Sequence, residues 1–174
     1  NVGTELSELV GVAPPEAWIV CELSSFQLED VERFRPRIAV LLNLEPDHLD
    51  RHGTFERYRD AKLRIFENQG AEDVAVVPRG FGPVPGEGRC GECAADGELP
   101  AEPLIPGGHN RENAAAATAA ARAAGLGEDA IAHALRTFPG VEHRLELVAE
   151  RGGVRFVNDS KATNTAAARR ALTA

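Results

Sequence analysis

The sequence predicts an α/β fold in which a mostly parallel sheet is flanked by helices and is followed by a hairpin and one more helix. Short apolar runs of strand length lie at residues 17–23, 38–44 and 73–78, and helical patterns alternate with them. Two segments of alternating polarity surround Gly152-Gly153. Apolar runs bounded by polar loops are typical of strands that are buried on both faces of a parallel sheet.

The first two elements are separated by a proline pair. We expect a short helix over residues 4–11, with Thr4 as its N-cap and residues 14–15 as its stop. The mostly apolar run AWIVCEL at 17–23 then has the length and composition of a buried strand.

Polar side chains follow at the end of that run, namely Glu22, Ser24 and Ser25. Ligands bind at the carboxyl ends of strands in open α/β sheets, so these residues are candidates for a ligand site. The alternative is that Ser24 or Ser25 caps a short helix, because serine is a favoured N-cap residue. A cap explains the serines but does not explain an acid within an apolar run.

The second strand, at 38–44, also ends in a polar cluster. Residues 45–50 read EPDHLD and include His48. Two parallel strands that each deliver a metal-compatible side chain at the carboxyl end indicate a metal site at that edge of the sheet.

A helix is expected after Thr54, and one of its residues is out of place. An apolar stripe with helical spacing is formed by Phe55, Tyr58, Ile65 and Phe66. Lys62 falls within this stripe. A buried lysine is costly unless it is paired, loses its proton or is modified. Its amine either snorkels to the rim or is held neutral for chemistry, for example to capture carbon dioxide as a metal-binding carbamate.

The run at 73–78 predicts a third strand, and residues 79–108 are rich in Gly, Pro and Glu. We expect loops with short antiparallel strands there. Cys90 and Cys93 form a lone CxxC pair. A zinc site is disfavoured because no second ligand pair with zinc spacing follows.

A long Ala-rich helix is expected over 111–124, with Gly125 just past its end, and a second helix over 128–137. Asn110 and Asn113 lie in the first turn of the long helix. They either cap it or face a nucleotide at the helix N-terminus.

The segment 138–140 reads FPG and indicates a domain boundary. Beyond it, 144–150 and 154–158 predict a hairpin, and the polar loop that follows could hold phosphate or carboxylate groups. We therefore expect two partial domains, at residues 1–140 and 141–174.

The composition argues against several classes of protein. The 174 residues carry a net charge of −8 and no basic run, which argues against nucleic-acid binding. No apolar stretch approaches the roughly 20 residues of a membrane span, and no signal peptide is evident. Three cysteines do not suggest a disulfide framework, so a reducing cytoplasm is expected. Because the chain starts at Asn1 and stops within a helical pattern, we expect a fragment of a longer protein.

Six motifs together resemble the Mur ligases, the ATP-dependent enzymes of peptidoglycan precursor synthesis. They are ELSSFQLE at 22–29, LNLEPDHLDRHG at 42–53, YRDAKLRIFEN at 58–68, GGHNRENAAAA at 107–117, HRLE at 143–146 and NDSKATN at 158–164. They run in the family's order over nearly the whole chain. The resemblance implies that 1–140 is part of the family's central ATPase-type domain and that 141–174 begins its Rossmann-like C-terminal domain.

The resemblance is strongest to the family member that joins D-glutamate to UDP-N-acetylmuramoyl-L-alanine through an acyl phosphate. It implies that ATP, two Mg²⁺ ions and a carbamylated Lys62 are the cofactors. It also implies a cytoplasmic monomer that acts on small molecules in cell-wall synthesis, without membrane insertion.

Site residues follow from the resemblance position by position. Metal-site residues would be Glu22, His48 and Lys62, and catalytic residues would be Lys62, His48 and Lys161. Nucleotide contacts would come from Asn110, Asn113, Arg144, Asp159 and Lys161. Substrate contacts would come from Asn1, Ser24, His48 and Thr163.

One departure is that this chain contains no G-x-x-x-x-G-K-[ST] phosphate loop, which in the family precedes the Asn-x-Gly-Thr that opens this sequence. We therefore predict that this polypeptide alone would not hydrolyse ATP. Two alternatives stay open: a nucleotide- or metal-binding module without catalysis, and a ligase resembling folylpolyglutamate synthase.

Overall fold

The structure is a computed structural model that describes residues 4–163 and 165–172. The strands are β1 (Ile38–Val40), β2 (Val74–Pro78), β3 (Arg89–Cys93), β4 (Glu146–Arg151) and β5 (Val154–Asn158). The helices are α1 (Ser25–Glu29), α2 (Leu49–His52), α3 (Phe55–Leu63), α4 (Gly108–Ala123), α5 (Glu128–Thr137) and α6 (Thr165–Leu172).

The first three strands form a parallel sheet in the order β1-β2-β3, with Ala39 opposite Ala75 and Val76 opposite Gly91. The prediction of a mostly parallel α/β sheet is therefore confirmed. The strand expected at 38–44 is shorter than its apolar run. It ends at Val40, although the backbone N–H of Leu41 still donates to the carbonyl oxygen of Val76 at 2.9 Å.

The sheet is buried on both faces. Ala75 and Val77 join a core cluster with Leu63 and Phe66. Val76, which points to the opposite face, is also almost fully buried. Helix α4 packs across all three strands, and α3 packs against α1.

Strand β3 corrects one expectation, because it pairs in parallel with β2 rather than forming an antiparallel pair. The connection from β2 to β3 contains no helix. It folds back against the segment that leads into β2. There the backbone N–H of Glu87 donates to the carbonyl oxygen of Gln69 at 2.8 Å. At Gly86, where φ is +81°, a Cβ atom would lie 2.2 Å from the carbonyl oxygen of Phe66. Only glycine permits this close return.

The strand expected at residues 17–23 is absent from the described chain, and this prediction is wrong. The segment runs without regular structure, and Trp18, Ile19 and Val20 are 53%, 48% and 98% exposed. The reason is the lack of a partner: in the described residues β1 pairs only with β2, so no ladder extends to this run. Apolar composition alone cannot supply a neighbouring strand.

Helix predictions are largely confirmed. Thr54 caps α3, because its hydroxyl accepts a hydrogen bond from the backbone N–H of Arg57 at 3.3 Å. Helix α5 has the expected bounds, and α4 begins three residues earlier than expected and ends before Gly125. The helix expected over 4–11 is only a 3₁₀ turn at Leu6–Leu9 that Thr4 does not cap.

The hairpin is confirmed as an antiparallel pair of β4 and β5. Its turn residues Gly152 and Gly153 have φ of +58° and +78°, the signs that a type I′ turn needs. No helix among the described residues is long and apolar enough to cross a bilayer.

Candidate functional site

The amine of Lys62 is the centre of the candidate site. Lys62 occupies the last turn of α3, and its side chain is partly buried. The Nζ atom donates a long hydrogen bond, 3.4 Å, to the carbonyl oxygen of Leu23. This contact brings the amine next to the segment that carries Glu22, at the start of α1.

Two carboxylates act on this amine. Burial lowers the pKa of Lys62 below its ordinary value, while the negative charges of Glu22 and Asp47 oppose that shift. At a given pH the amine is therefore less protonated than an exposed lysine, and the charges of acids from two segments act on it. The structure brings together two of the three residues predicted for the metal site, Glu22 and Lys62.

His48 lies beside this pair rather than within it. Its backbone is left-handed, with φ of +51°, and its N–H donates to the Asp47 carboxylate at 2.9 Å. The ring is half exposed and contacts Phe26, with ring centroids 4.9 Å apart. Its Nε2 atom is 3.8 Å from the Asp47 carboxylate. None of the contacts described for His48 reaches Lys62.

Asp47 is the residue that the sequence reasoning missed. Its charge acts on Lys62 and also on Tyr58, whose pKa is raised by burial first and then by Asp47 and Glu45. The signal was present, since Asp47 belongs to the same polar cluster as His48. The imidazole was preferred there only by resemblance, although carboxylate oxygen is the better ligand for a hard cation.

The residues fit a magnesium ion only in part. Across the described ranges, no group of three or more His, Cys, Asp and Glu side chains is close enough to hold a metal. The two carboxylates whose charges act on Lys62 are the hard oxygen donors that Mg²⁺ prefers, and this ion usually takes one or two of them together with substrate phosphates. Further oxygens would come from water, from a modified Lys62 or from a substrate.

Ser24 is a helix cap. Its hydroxyl accepts from the backbone N–H of Gln27 at 3.2 Å, and the Gln27 side chain accepts from the backbone N–H of Ser24 at 2.9 Å. This is a capping box. The capping interpretation is confirmed for Ser24, whose hydroxyl also lies 3.1 Å from Gln27 Oε1.

Behind this cap lies a buried polar network. The Ser25 hydroxyl is 3.0 Å from Nε2 of His52, and Nδ1 of His52 is 3.1 Å from the Glu29 carboxylate. Ser25 and His52 are 1% and 4% exposed. The His52 ring stacks on Phe26 and meets the edge of Tyr58. Neither Ser25 nor His52 was singled out for this pairing from sequence.

Asn110 and Asn113 lie in the first two turns of α4, whose N-cap is Gly107. The Asn110 side chain is buried, and its amide donates to the carbonyl oxygen of Pro106 at 2.6 Å. Neither asparagine is the cap, so the capping interpretation is wrong at both positions; the glycine pair starts the helix earlier than the Asn pattern suggested.

A second group of predicted residues meets at the base of the hairpin. The backbone N–H of Lys161 donates to the carbonyl oxygen of His143 at 3.1 Å, and the Asp159 carboxylate accepts from the backbone N–H of Leu145. Arg144 lies between His143 and Leu145 in sequence and is exposed, as are Lys161 and Thr163. The polar contacts given above for this group do not reach Lys62. Asn1 lies outside the described residues.

The CxxC cysteines do not converge. Cys90 is exposed and Cys93 is partly buried, and all three cysteines are unpaired thiols. Residues three apart on a strand point to opposite faces. The described geometry therefore gives no support to a zinc site at this pair.

Comparison with known proteins assigns a family to residues 6–80, which match the Mur ligase middle domain. The whole chain is 45% identical to the UDP-N-acetylmuramoylalanine--D-glutamate ligase of Acidobacterium capsulatum and covers 44% of it. It is 43% identical to the ligase of that name from Thermoanaerobacter sp., and covers 45% of that protein. The chain thus spans less than half the length of these relatives.

Two solved structures share the fold. MurF from Acinetobacter baumannii aligns over 78% of this chain and 36% of its own, with a TM-score of 0.65 and 22% identity. E. coli FolC, in complex with DHPP and ADP, aligns over 76% of this chain and 36% of its own, with a TM-score of 0.55 and 24% identity.

Proposed function

Because this chain belongs to the Mur ligase family, we propose that the protein containing it joins D-glutamate to UDP-N-acetylmuramoyl-L-alanine at the expense of ATP. The names of the relatives that are 43–46% identical to it support this substrate pair. The product is a peptidoglycan precursor, so the role is in cell-wall synthesis.

The proposed reaction has two steps. A carboxylate oxygen of the muramoyl-alanine attacks the γ-phosphorus of ATP, which forms an acyl phosphate and releases ADP. The amine of D-glutamate then attacks the acyl carbon, an amide forms, and inorganic phosphate leaves. Two anions must approach each other in the first step, so positive charge has to be supplied at the meeting point.

The observation that carries the proposal is the setting of Lys62, which is half-buried, donates to the carbonyl oxygen of Leu23 and is acted on by the charges of Glu22 and Asp47. Burial favours the neutral amine, which is the form that attacks carbon dioxide to give a carbamate and a proton. A carbamate replaces a cation by an anion with two oxygens. Together with Glu22 and Asp47 it would complete a set of oxygen donors, with His48 at its margin.

Magnesium, when bound there, would neutralise phosphate charge and stabilise the transferring phosphoryl group. Glu22 and Asp47 would supply two of its oxygen ligands, and the carbamate would add to them. The proposal includes the carbamate on Lys62 and the two Mg²⁺ ions that the family resemblance implies.

We assign nucleotide contacts to two separate parts of the chain. Asn110 and Asn113 on α4 would meet the adenine end of ATP, and the exposed Arg144 and Lys161, with Asp159, would meet the nucleotide from the hairpin. The planar donor fork of Arg144 suits phosphate oxygens. This assignment assumes that the chain divides at 138–140 into a central domain and the start of a C-terminal domain. Thr163 would lie on the D-glutamate side, with Ser24 and Asn1 toward the muramoyl-alanine.

The test uses the full-length protein with ATP, Mg²⁺ and UDP-N-acetylmuramoyl-L-alanine. Phosphate release and product mass are measured with D-glutamate, and L-glutamate is the matched control. Release that depends on D-glutamate and a product heavier by one glutamyl residue support the proposal. Preference for L-glutamate or for a folate substrate would favour the FolC-like alternative, and ATP binding without turnover would favour a non-catalytic module.

We further propose that the enzyme works as a monomer in the cytoplasm.

A further inference from the structure

We infer that His52 is a positioning residue that holds the Lys62 amine in place through Ser25, an inference that rests on the proposed function of Lys62. The imidazole is almost fully buried and bridges α1 to α3. Its hydrogen bonds and ring contacts are with Ser25, Glu29, Phe26 and Tyr58 rather than with Lys62. Its effect passes through the segment that precedes α1.

The hydrogen-bond directions at His52 follow from Glu29. The Arg51 guanidinium donates to the Glu29 carboxylate at 3.0 Å, and this bond holds the pKa of Glu29 below its ordinary value. An ionised carboxylate only accepts hydrogen bonds, so Nδ1 of His52 carries a hydrogen and donates to Glu29. In the neutral ring, Nε2 is left to accept from the Ser25 hydroxyl.

Two routes of contacts link His52 to Lys62, one through α1 and one through α3. Ser25 is the first residue of α1, and two residues before it the Leu23 carbonyl oxygen accepts the hydrogen bond from Lys62. On the other side, the His52 ring meets Tyr58 with ring centroids 5.5 Å apart, and Tyr58 lies one helical turn before Lys62 on α3. The imidazole therefore fixes both ends of the Lys62–Leu23 contact.

The C-terminal end of α1 is also held in place by hydrogen bonds. The Arg64 guanidinium, just beyond α3, donates to the backbone carbonyl oxygens of Glu29 and Val31. Helix α1 has only five residues and cannot hold its own orientation. Its position depends on these clamps and on the Ser25–His52 bond.

The contacts among Ser25, His52 and Glu29 have the order of a hydrolytic Ser–His–Glu triad. The burial of the serine rules out that activity. The nearby cavity of about 400 Å³ is lined by Glu29 and His52, but Ser25 is not part of its lining. A hydroxyl that is 1% exposed cannot meet a substrate carbonyl. The contacts are those of a structural bridge next to a reactive amine.

The test compares three variants of the full-length protein. His52→Phe keeps a ring against Phe26 and Tyr58 but removes both hydrogen bonds, and His52→Gln restores an amide near the place of Nε2. His133→Phe makes the same replacement at an exposed position of α5 and serves as the control. We measure kcat, the KM for ATP, and the NMR signal of the Lys62 Cε–Hε group, assigned with Lys62→Arg.

For His52→Phe we expect the Lys62 signal to move toward that of an exposed lysine and kcat to fall about ten- to a hundredfold, the usual effect of a supporting shell. The KM for ATP should stay unchanged, because the predicted adenine contacts lie on α4. His52→Gln should recover most of both readouts. Unaltered signal and kcat in a folded His52→Phe protein would overturn the inference.

If His52→Phe fails to fold, Ser25→Ala decides the question, since it removes only one hydroxyl. The same displacement of the Lys62 signal is expected, and its absence would count against His52. The two proposals fail separately. A protein that shows no D-glutamate ligation but still shows the displaced signal rejects the ligase function alone, whereas an active protein with an undisplaced signal rejects the positioning role alone.

Discussion

The Lys62 amine donates a hydrogen bond to the carbonyl oxygen of Leu23, which joins the end of α3 to the residue that follows Glu22. The bond is long, at 3.4 Å, and it holds the amine in a half-buried place rather than in bulk water. A lysine that merely snorkelled would extend its amine into solvent. The arrangement favours an amine kept for chemistry.

Replacing Lys62 with Met should abolish most ligase activity while sparing the fold. Methionine fills a similar volume and removes the amine, so no carbamate can form. We expect kcat to fall by about 100-fold or more, the scale seen when one electrostatic stabiliser is lost. Steady-state phosphate release by the full-length variant measures this effect.

The matched control is Arg59→Met, three residues earlier on the exposed part of α3. It removes a positive charge of similar size from the same helix without touching the site. Near-normal kcat in the Lys62→Met protein, with D-glutamate still required, would contradict the role assigned to the amine.

Two substitutions at Ser24 separate its cap from its predicted substrate contact. Ser24→Ala should cost about 1 kcal/mol of unfolding free energy, because the Gln27 N–H loses its acceptor. Ser24→Asn retains a good cap and should stay close to wild type in stability. Denaturant melts of both variants measure this difference.

Activity then decides the second role of Ser24. If the hydroxyl serves the muramoyl-alanine substrate, Ser24→Asn should raise the KM for that substrate although stability is kept. A normal KM in the Asn variant would leave Ser24 with a capping role only.

Local signals were enough to predict much of this fold. Thr54 before an amphipathic helix, Gly125 after an Ala-rich one and Gly152-Gly153 between alternating segments each act within a few residues. The misplaced strand at 17–23 depended instead on a distant partner. Strand pairing is a property of two segments, and an apolar run carries no information on whether a neighbour is present.

The candidate site was predicted unevenly for the same reason. Lys62 stood out because a charge within an apolar stripe is a local anomaly. Asp47 did not, because nothing near it in sequence shows that its charge reaches Lys62 and Tyr58. The Ser25–His52 bond joins residues 27 apart in sequence, and only the packing of α1 on α3 reveals it.

The ion pair between Arg35 and Asp73 should govern stability in acid. Arg35 Nε donates to the buried Asp73 carboxylate at 2.6 Å, and this bond is the main cause of the lowered pKa of Asp73. A lowered carboxyl pKa gives stability above the unfolded value of about 4 that is lost as pH falls through the folded value. Arg35→Gln should therefore shift acid unfolding to higher pH, as followed by circular dichroism.

Arg33→Gln is the control for that experiment, since Arg33 is an exposed arginine two residues away. It should leave the acid transition where it is in the unsubstituted chain. Equal shifts in both variants would mean that net charge, and not the Asp73 contact, sets the transition.

This chain by itself should not turn over ATP, because its sequence contains no phosphate loop. Incubation of the 174-residue polypeptide with ATP and Mg²⁺ should release no phosphate above the protein-free blank. The full-length protein with both substrates is the positive control. Turnover by the short chain at a comparable rate would show that its phosphate contacts come from elsewhere.

Tyr58 reports on the charge of Asp47, because it is the only tyrosine in the chain. Burial, followed by the charges of Asp47 and Glu45, raises its pKa above the ordinary value of about 10. Asp47→Asn should lower that pKa while leaving it above the ordinary value, since the burial remains. Absorbance of the tyrosinate during alkaline titration measures it.

Asp50→Asn provides the matched control, because Asp50 is an exposed acid of the same cluster that does not contribute to the shift at Tyr58. The sign of the stability effect follows from the raised pKa: the buried phenol contributes stability below pH 10 or so that is lost as pH rises through the folded value. In both variants the loss begins as pH rises through the unfolded value, and in Asp47→Asn it should be smaller and end at a lower pH than in Asp50→Asn. If both variants titrate alike, the charge of Asp47 does not act on Tyr58.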